Sequence, residues 1–159
     1  MSIRSSVKAL IVDNGKVLLI SNSTKSNGDF YCLPGGGQNK YETFHEAVVR
    51  ECKEETGYFV NPLKLVGVCE EICVNDEVRE KDPNYAHKIY QIFLCELANN
   101  KPEFPTEKDG GQIGCEWVNI DNIHNIRLLP QCLGEQIVNV FDGSAPVFLG
   151  TDLTRFNNG

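Results

Sequence analysis

The chain lacks any apolar run close to the roughly 20 residues that a bilayer-spanning helix needs. No membrane partner is therefore expected, and the reading is a soluble protein. It also lacks a basic surplus: 15 Lys and Arg stand against 22 Asp and Glu, for a net charge of −7. That balance argues against a nucleic-acid polymer as partner, because neutralising phosphates takes basic surface. A small phosphorylated substrate stays open, since divalent cations can supply the missing positive charge. There is no unbroken leader either, because "KALIVDNGKVLLI" is interrupted by Asp13, Asn14, Gly15 and Lys16. A cytoplasmic location is the resulting expectation. The seven cysteines are odd in number and scattered through apolar company, and Cys69 and Cys73 lack the spacing of a zinc knuckle. They read as reduced core residues. Internal repeats and low-complexity segments are absent too.

What is present suits one domain, taken as residues 1–150, with 151–159 as a loose tail. Two β-rich runs flank Asn14-Gly15, a strong signal for a tight hairpin because both residues tolerate positive φ. "FYCL" reads as a short strand and "PGGGQNKY" as a loop. From Glu42 to Thr56 the pattern is helical. Thr43 is the expected N-cap, Glu46 its capping-box partner and Gly57 the stop. Phe44, Val48, Val49 and Cys52 fall on one side with His45 and Thr56, and that side is expected to pack on a sheet. "YFVNPLKLVGVCEEICV" and "HKIYQIFLCEL" read as strands, the second covered on both faces. "NDEVREKDPNY" and "ANNKPEFPTEKDGGQIG" read as loops. "CEWVNI" is a late strand and "LLPQCLGEQIVNVF" a helix ending at Asp142 and Gly143.

The chemistry concentrates in "RECKEETGY". Glu51, Glu54 and Glu55 are spaced i, i+3, i+4, so their carboxylates lie on one side of the helix and can converge on one point. Such neighbours repel, by roughly 0.2–0.5 kcal/mol per pair. Acidic groups near a helix C-terminus also oppose its dipole. A solvated acidic face would account for the helix by itself. A hard divalent cation would resolve both conflicts, because carboxylate oxygens are the ligands magnesium prefers. Upstream, Gly35, Gly36 and Gly37 follow Pro34 and leave a backbone able to come close to a substrate.

The spacing between these two features is the sharper datum. Gly36, five residues, Glu42, seven residues, then Arg50-Glu51-Cys52-Lys53-Glu54-Glu55-Thr56-Gly57-Tyr58 resembles the signature of the Nudix hydrolases. Cys52 and Tyr58 occupy positions where aliphatic residues are more usual. The resemblance implies the Nudix fold, an α/β/α sandwich with a mixed β-sheet. It also implies hydrolysis of the pyrophosphate bond of a nucleoside diphosphate linked to another moiety, with Mg2+ as cofactor and Mn2+ as a possible substitute. Glu54 and Glu55 match the family's metal ligands, Glu51 a ligand or the base, Arg50 the residue orienting it and Glu42 its brace. The Gly36 carbonyl matches a further metal ligand. Asp109 is favoured slightly over Glu107 as a later acidic ligand or base, with Glu103, Glu116, Glu70 and Glu71 weaker. His45, His87 and His124 are isolated, and Trp117 reads as core. The alternative function is a non-catalytic sensor of nucleotide metabolites on the same fold. The oligomer is expected to be a monomer or a homodimer. The segment "ICVNDEV" lacks the Pro and the Tyr that mark relatives acting on ADP-ribose and on dinucleoside polyphosphates.

Overall fold

The expected hairpin opens the fold. In the computed structural model, which describes residues 3–107 and 110–155, β1 (Arg4–Asp13) and β2 (Lys16–Thr24) are joined by Asn14 and Gly15 at φ 48° and 73°. The remaining elements are β3 (Gly28–Cys32), α1 (Phe44–Thr56), β4 (Val60–Cys73), α2 (Asp76–Lys81), β5 (His87–Leu97) and β6 (Gln112–Asn119). After a 3-10 turn (Ile120–Asn125) come β7 (Leu128–Leu129), α3 (Gln131–Asp142) and β8 (Phe148–Thr154). The strands form one mixed, curled sheet in the order β7-β3-β2-β1-β5-β4-β8, with β6 paired to β2. β1 and β5 run parallel, as do β4 and β8, while β4 and β5 are antiparallel.

The sheet curls because β1 changes partners. Only Val12 and Asp13 pair with β2, at Val17 and Lys16, before β2 leaves to pair with β3 and β6. The vacated edge of β1 is taken by the glycine loop. The amides of Ala9 and Val7 donate to the carbonyls of Pro34 and Gly36 at 2.8 and 2.9 Å, and the Gln38 amide donates to the Ser5 carbonyl at 3.1 Å. The loop thus lies along β1 as a substitute strand.

Strand alternation divides the interior in two. Val7, Ala9 and Ile11 of β1 pack with Ala47, Val48 and Cys52 of α1. Leu10, on the opposite face, joins Leu133, Ile137 and Val140 of α3. Each helix covers one side of the sheet, which is the layered arrangement expected from the sequence. Among the described residues, no helix is long and apolar enough to cross a membrane.

Four expectations need correction. Leu128–Leu129 form β7 and α3 starts only at Gln131, while residues 112–114 open β6 rather than ending a loop. "NDEVREKDPNY" is not all loop: Asn75 accepts from the amides of Glu77 and Val78 and starts α2, a helix with no buried residue and so no apolar periodicity to betray it. The tail is not loose through residue 154, because β8 includes residues 151–154 and pairs with β4 from Val68 to Cys73.

Candidate active site

α1 is bounded as its sequence dictates. Thr43 accepts from the Glu46 amide at 3.2 Å, Glu46 accepts in return from the Thr43 amide at 2.8 Å, and Gly57 closes the helix at φ 76°. These caps fix the rotation of the helix and therefore which side chains meet the glycine loop.

Arg50 is the hub. Its Nε and Nη2 donate to the two oxygens of Glu42 at 2.7 and 2.8 Å, a bidentate pair that fixes the guanidinium plane. Nη1 donates to Glu51 at 2.8 Å and to Glu54 at 3.1 Å, and Nη2 also reaches the Gly37 carbonyl at 2.9 Å. One side chain thus ties together three acids and the loop. Hydrogen bonds from Arg50 lead in pulling the Glu42 carboxyl below its usual range, and those same bonds hold Arg50 more firmly protonated. Glu51 moves the other way. Burial raises its carboxyl despite the opposing pull of Arg50.

The glycine loop presses on this cluster. A Cβ built on Gly36 would stand 2.6 Å from Glu51 Oε2, so any larger residue would displace the carboxylate. Gly35 has φ 135°, its amide donates to Glu55 Oε2 at 2.8 Å and its carbonyl accepts from Lys8 Nζ at 2.7 Å. Gly35, Gly36 and Gly37 are thereby brought against Glu55, Glu51 and Arg50 respectively. The three carboxylates are held by different donors. Arg50 draws Glu51 and Glu54 to one donor while the Gly35 amide takes Glu55. Among the described residues, no group of three or more His, Cys, Asp or Glu side chains is arranged to hold a metal. The donor set nevertheless suits a hard divalent ion, being all oxygen. The Gly36 carbonyl accepts one hydrogen bond, from Val7, and a carbonyl oxygen has two lone pairs.

Tyr41, just before Glu42, sits at φ 69° and is 91% exposed. A left-handed conformation costs an L-residue roughly 1–2 kcal/mol. Tyr41→Gly is expected to stabilise the protein by about 1 kcal/mol, raising Tm by about 2–4 °C in a thermal melt.

The other candidates fall outside this cluster or at its edge. Glu107 and Thr106 donate backbone amides to the Glu54 carbonyl at 3.1 and 3.0 Å, so the loop is pinned to the end of α1 while the Glu107 side chain is exposed. Asp109 lies outside the described residues. The Glu103 amide bonds the Gly57 carbonyl at 2.9 Å, and Glu116 hydrogen-bonds Tyr31. Glu70 is held by His87 at 2.7 Å and by Thr151 at 2.9 Å, and Glu71 is buried against Lys88 at 3.0 Å. His45 packs edge-on to Phe93. Trp117 donates to the Tyr58 hydroxyl at 3.3 Å and packs edge-on to its ring. Sequence reasoning missed Lys8 and Arg4, whose even spacing along β1 is a signal only once the face they share is known.

A sequence profile of the NUDIX domain matches residues 2–136. The chain belongs to the NUDIX domain family. Similar curated proteins include an ADP-ribose pyrophosphatase of Methanocaldococcus jannaschii, 34% identical over 91 residues, covering 57% of this chain and 49% of that protein. An uncharacterized Nudix hydrolase of Bacillus subtilis is 28% identical over 116 residues, covering 72% of this chain and 65% of that one. The chain spans less than two thirds of the length of either. A NUDIX hydrolase structure from Nitrosomonas europaea superposes with a TM-score of 0.68 at 22% identity, over 89% of each chain. That likeness establishes the NUDIX fold.

Proposed function

We propose that the protein is a Mg2+-dependent pyrophosphohydrolase, with Mn2+ as a substitute, that cleaves the pyrophosphate bond of a nucleoside diphosphate linked to another moiety in the cytoplasm. The observation that carries this reading is the Arg50 hub, which binds Glu42, Glu51 and Glu54 and abuts the glycine loop. Glu51, Glu54, Glu55 and the Gly36 carbonyl would hold the metal. Once bound, the ion supplies charge neutralisation on the phosphoryl oxygens and a more acidic water.

The chain's own residues do the rest. Arg50 orients Glu51, and Glu42 braces Arg50 through both of its oxygens. Glu51 serves as metal ligand or as the base that takes the proton of the attacking water. Glu107, whose amide is pinned to the end of α1, and Asp109 are the candidates for a further acid. The archaeal relative's name and the absent Pro in "ICVNDEV" pull apart over ADP-ribose, so ADP-ribose belongs in the test panel.

Purified protein is expected to cleave at least one of a panel of nucleoside triphosphates, nucleotide sugars, ADP-ribose and dinucleoside polyphosphates, in magnesium or manganese and not in EDTA. Cleavage of none of them would overturn the proposal. Tight calorimetric binding without turnover would favour a sensor instead.

A further inference from the structure

Beyond the acidic cluster, β1 carries a second set of charges placed where they repel. Arg4, Ser6 and Lys8 alternate with the α1-facing Val7 and line a cleft of about 220 Å3 with Gly35, Gly36, Glu55, Tyr85 and Tyr90. In the register of the sheet Arg4 stands opposite Lys88 of β5. The two like charges repel, and Arg4 is among the groups that disfavour the charged form of Lys88. Lys88 is answered by Glu71 at 3.0 Å, both being almost fully buried. Arg4 is not answered in that way. Among the described residues no carboxylate forms an ion pair with it, and its guanidinium instead lies 4.4 Å from the centre of the Tyr85 ring.

The position of Arg4 relative to the acids is informative. A Cβ on Gly37 would stand 2.6 Å from Arg4 Cζ, whereas the Gly37 carbonyl accepts from Arg50. Both arginines therefore contact Gly37, Arg50 through its carbonyl, and Arg4 lines the cleft that Glu55 also borders. The guanidinium is half-buried over Tyr85 and beside Gly37, and such a group is a planar fork suited to phosphate or carboxylate oxygens. Phe30 and Tyr90, the other aromatic residues of the cleft, are 6% and 4% exposed and offer a nucleobase little face to stack on.

We propose that Arg4, held over Tyr85, binds an anionic group of the substrate beyond the two phosphates of the scissile bond, such as a third phosphate, and so selects substrates that carry one. This rests on the pyrophosphohydrolase reading. The test compares ATP with ADP-glucose, which share a nucleoside and a pyrophosphate but differ in the charge of the group attached to the second phosphate. The wild type is expected to favour ATP. In Arg4→Gln the ratio of kcat/KM for ATP over that for ADP-glucose is expected to fall about tenfold, chiefly through KM, the size expected for one lost charged hydrogen bond. Arg4→Lys should recover part of the ratio. Tyr85→Leu, which frees the guanidinium without removing it, should lower the ratio by a smaller factor.

An unchanged ratio in Arg4→Gln, or equal KM rises for both compounds, would overturn the assignment. A wild type that cleaves neither compound tells against the hydrolytic reading for both. Calorimetry with the same two compounds in magnesium then decides the binding role by itself. Preference for ATP that is lost in Arg4→Gln supports the role of Arg4, and equal affinities refute it.

Discussion

Replacing Glu54 or Glu55 by Gln is expected to lower turnover at least about a hundredfold, a loss of about 2.7 kcal/mol in transition-state stabilisation. The substitution is isosteric, so an amide oxygen at position 54 can still accept from Arg50, and one at position 55 from the Gly35 amide. What is removed is charge. Relief of the repulsion with Glu51 is set against the weakened Arg50–Glu54 pair at 3.1 Å, each worth roughly a few tenths of a kcal/mol, so stability should change little. Falling activity with an undiminished Tm would then separate lost metal neutralisation from unfolding. Near-normal turnover in both variants would refute the proposed metal site.

The second large effect concerns stability. Lys88 and Glu71 are 1% and 3% exposed and 3.0 Å apart. Burial leads in pushing the Lys88 amine below its usual range, and Glu71 pulls it back. Lys88→Met would remove the cation paired with a buried carboxylate, at a cost of about 3–5 kcal/mol. Glu71→Leu should cost more, because it leaves Lys88 buried with Arg4 and Lys8 as cationic neighbours whose fields already disfavour its charge. The double variant Lys88→Met, Glu71→Leu should recover most of the loss, since replacing a whole buried pair by apolar groups is often neutral. Urea unfolding midpoints measure all three. Single variants that each lose less than about 1 kcal/mol would show that the pair carries none of the cost expected of a buried one.

What the sequence disclosed was mostly local. Thr43, Glu46 and Gly57 announce the limits of α1 because capping acts over three or four residues, and the structure places them in those roles. Asn14-Gly15 announces its hairpin for the same reason. The glycine loop was legible as a loop but not as a partner for β1, since that pairing joins residues about 30 positions apart. α2 escaped because a helix with no buried face has no apolar period. β8 escaped because its pairing with β4 spans some 80 residues. In the candidate site, helical spacing grouped the three glutamates correctly on one side. Their partition between Arg50 and the Gly35 amide depends on donors from other elements, which spacing cannot reveal. Arg4 opposite Lys88 is likewise a fact of register.

The seating of the Pro34–Gln38 loop on β1 bears on when the entropy of the site is lost. A free glycine-rich loop samples many backbone states and would surrender that freedom each time a ligand docks. Here three backbone hydrogen bonds to β1 and the Gly35–Glu55 bond hold the segment in place through the protein's own groups. Its ordering is completed during folding and coupled to the sheet itself. On the proposed function, a docking phosphate would meet a surface already set, leaving more of its interaction energy to appear as affinity or rate.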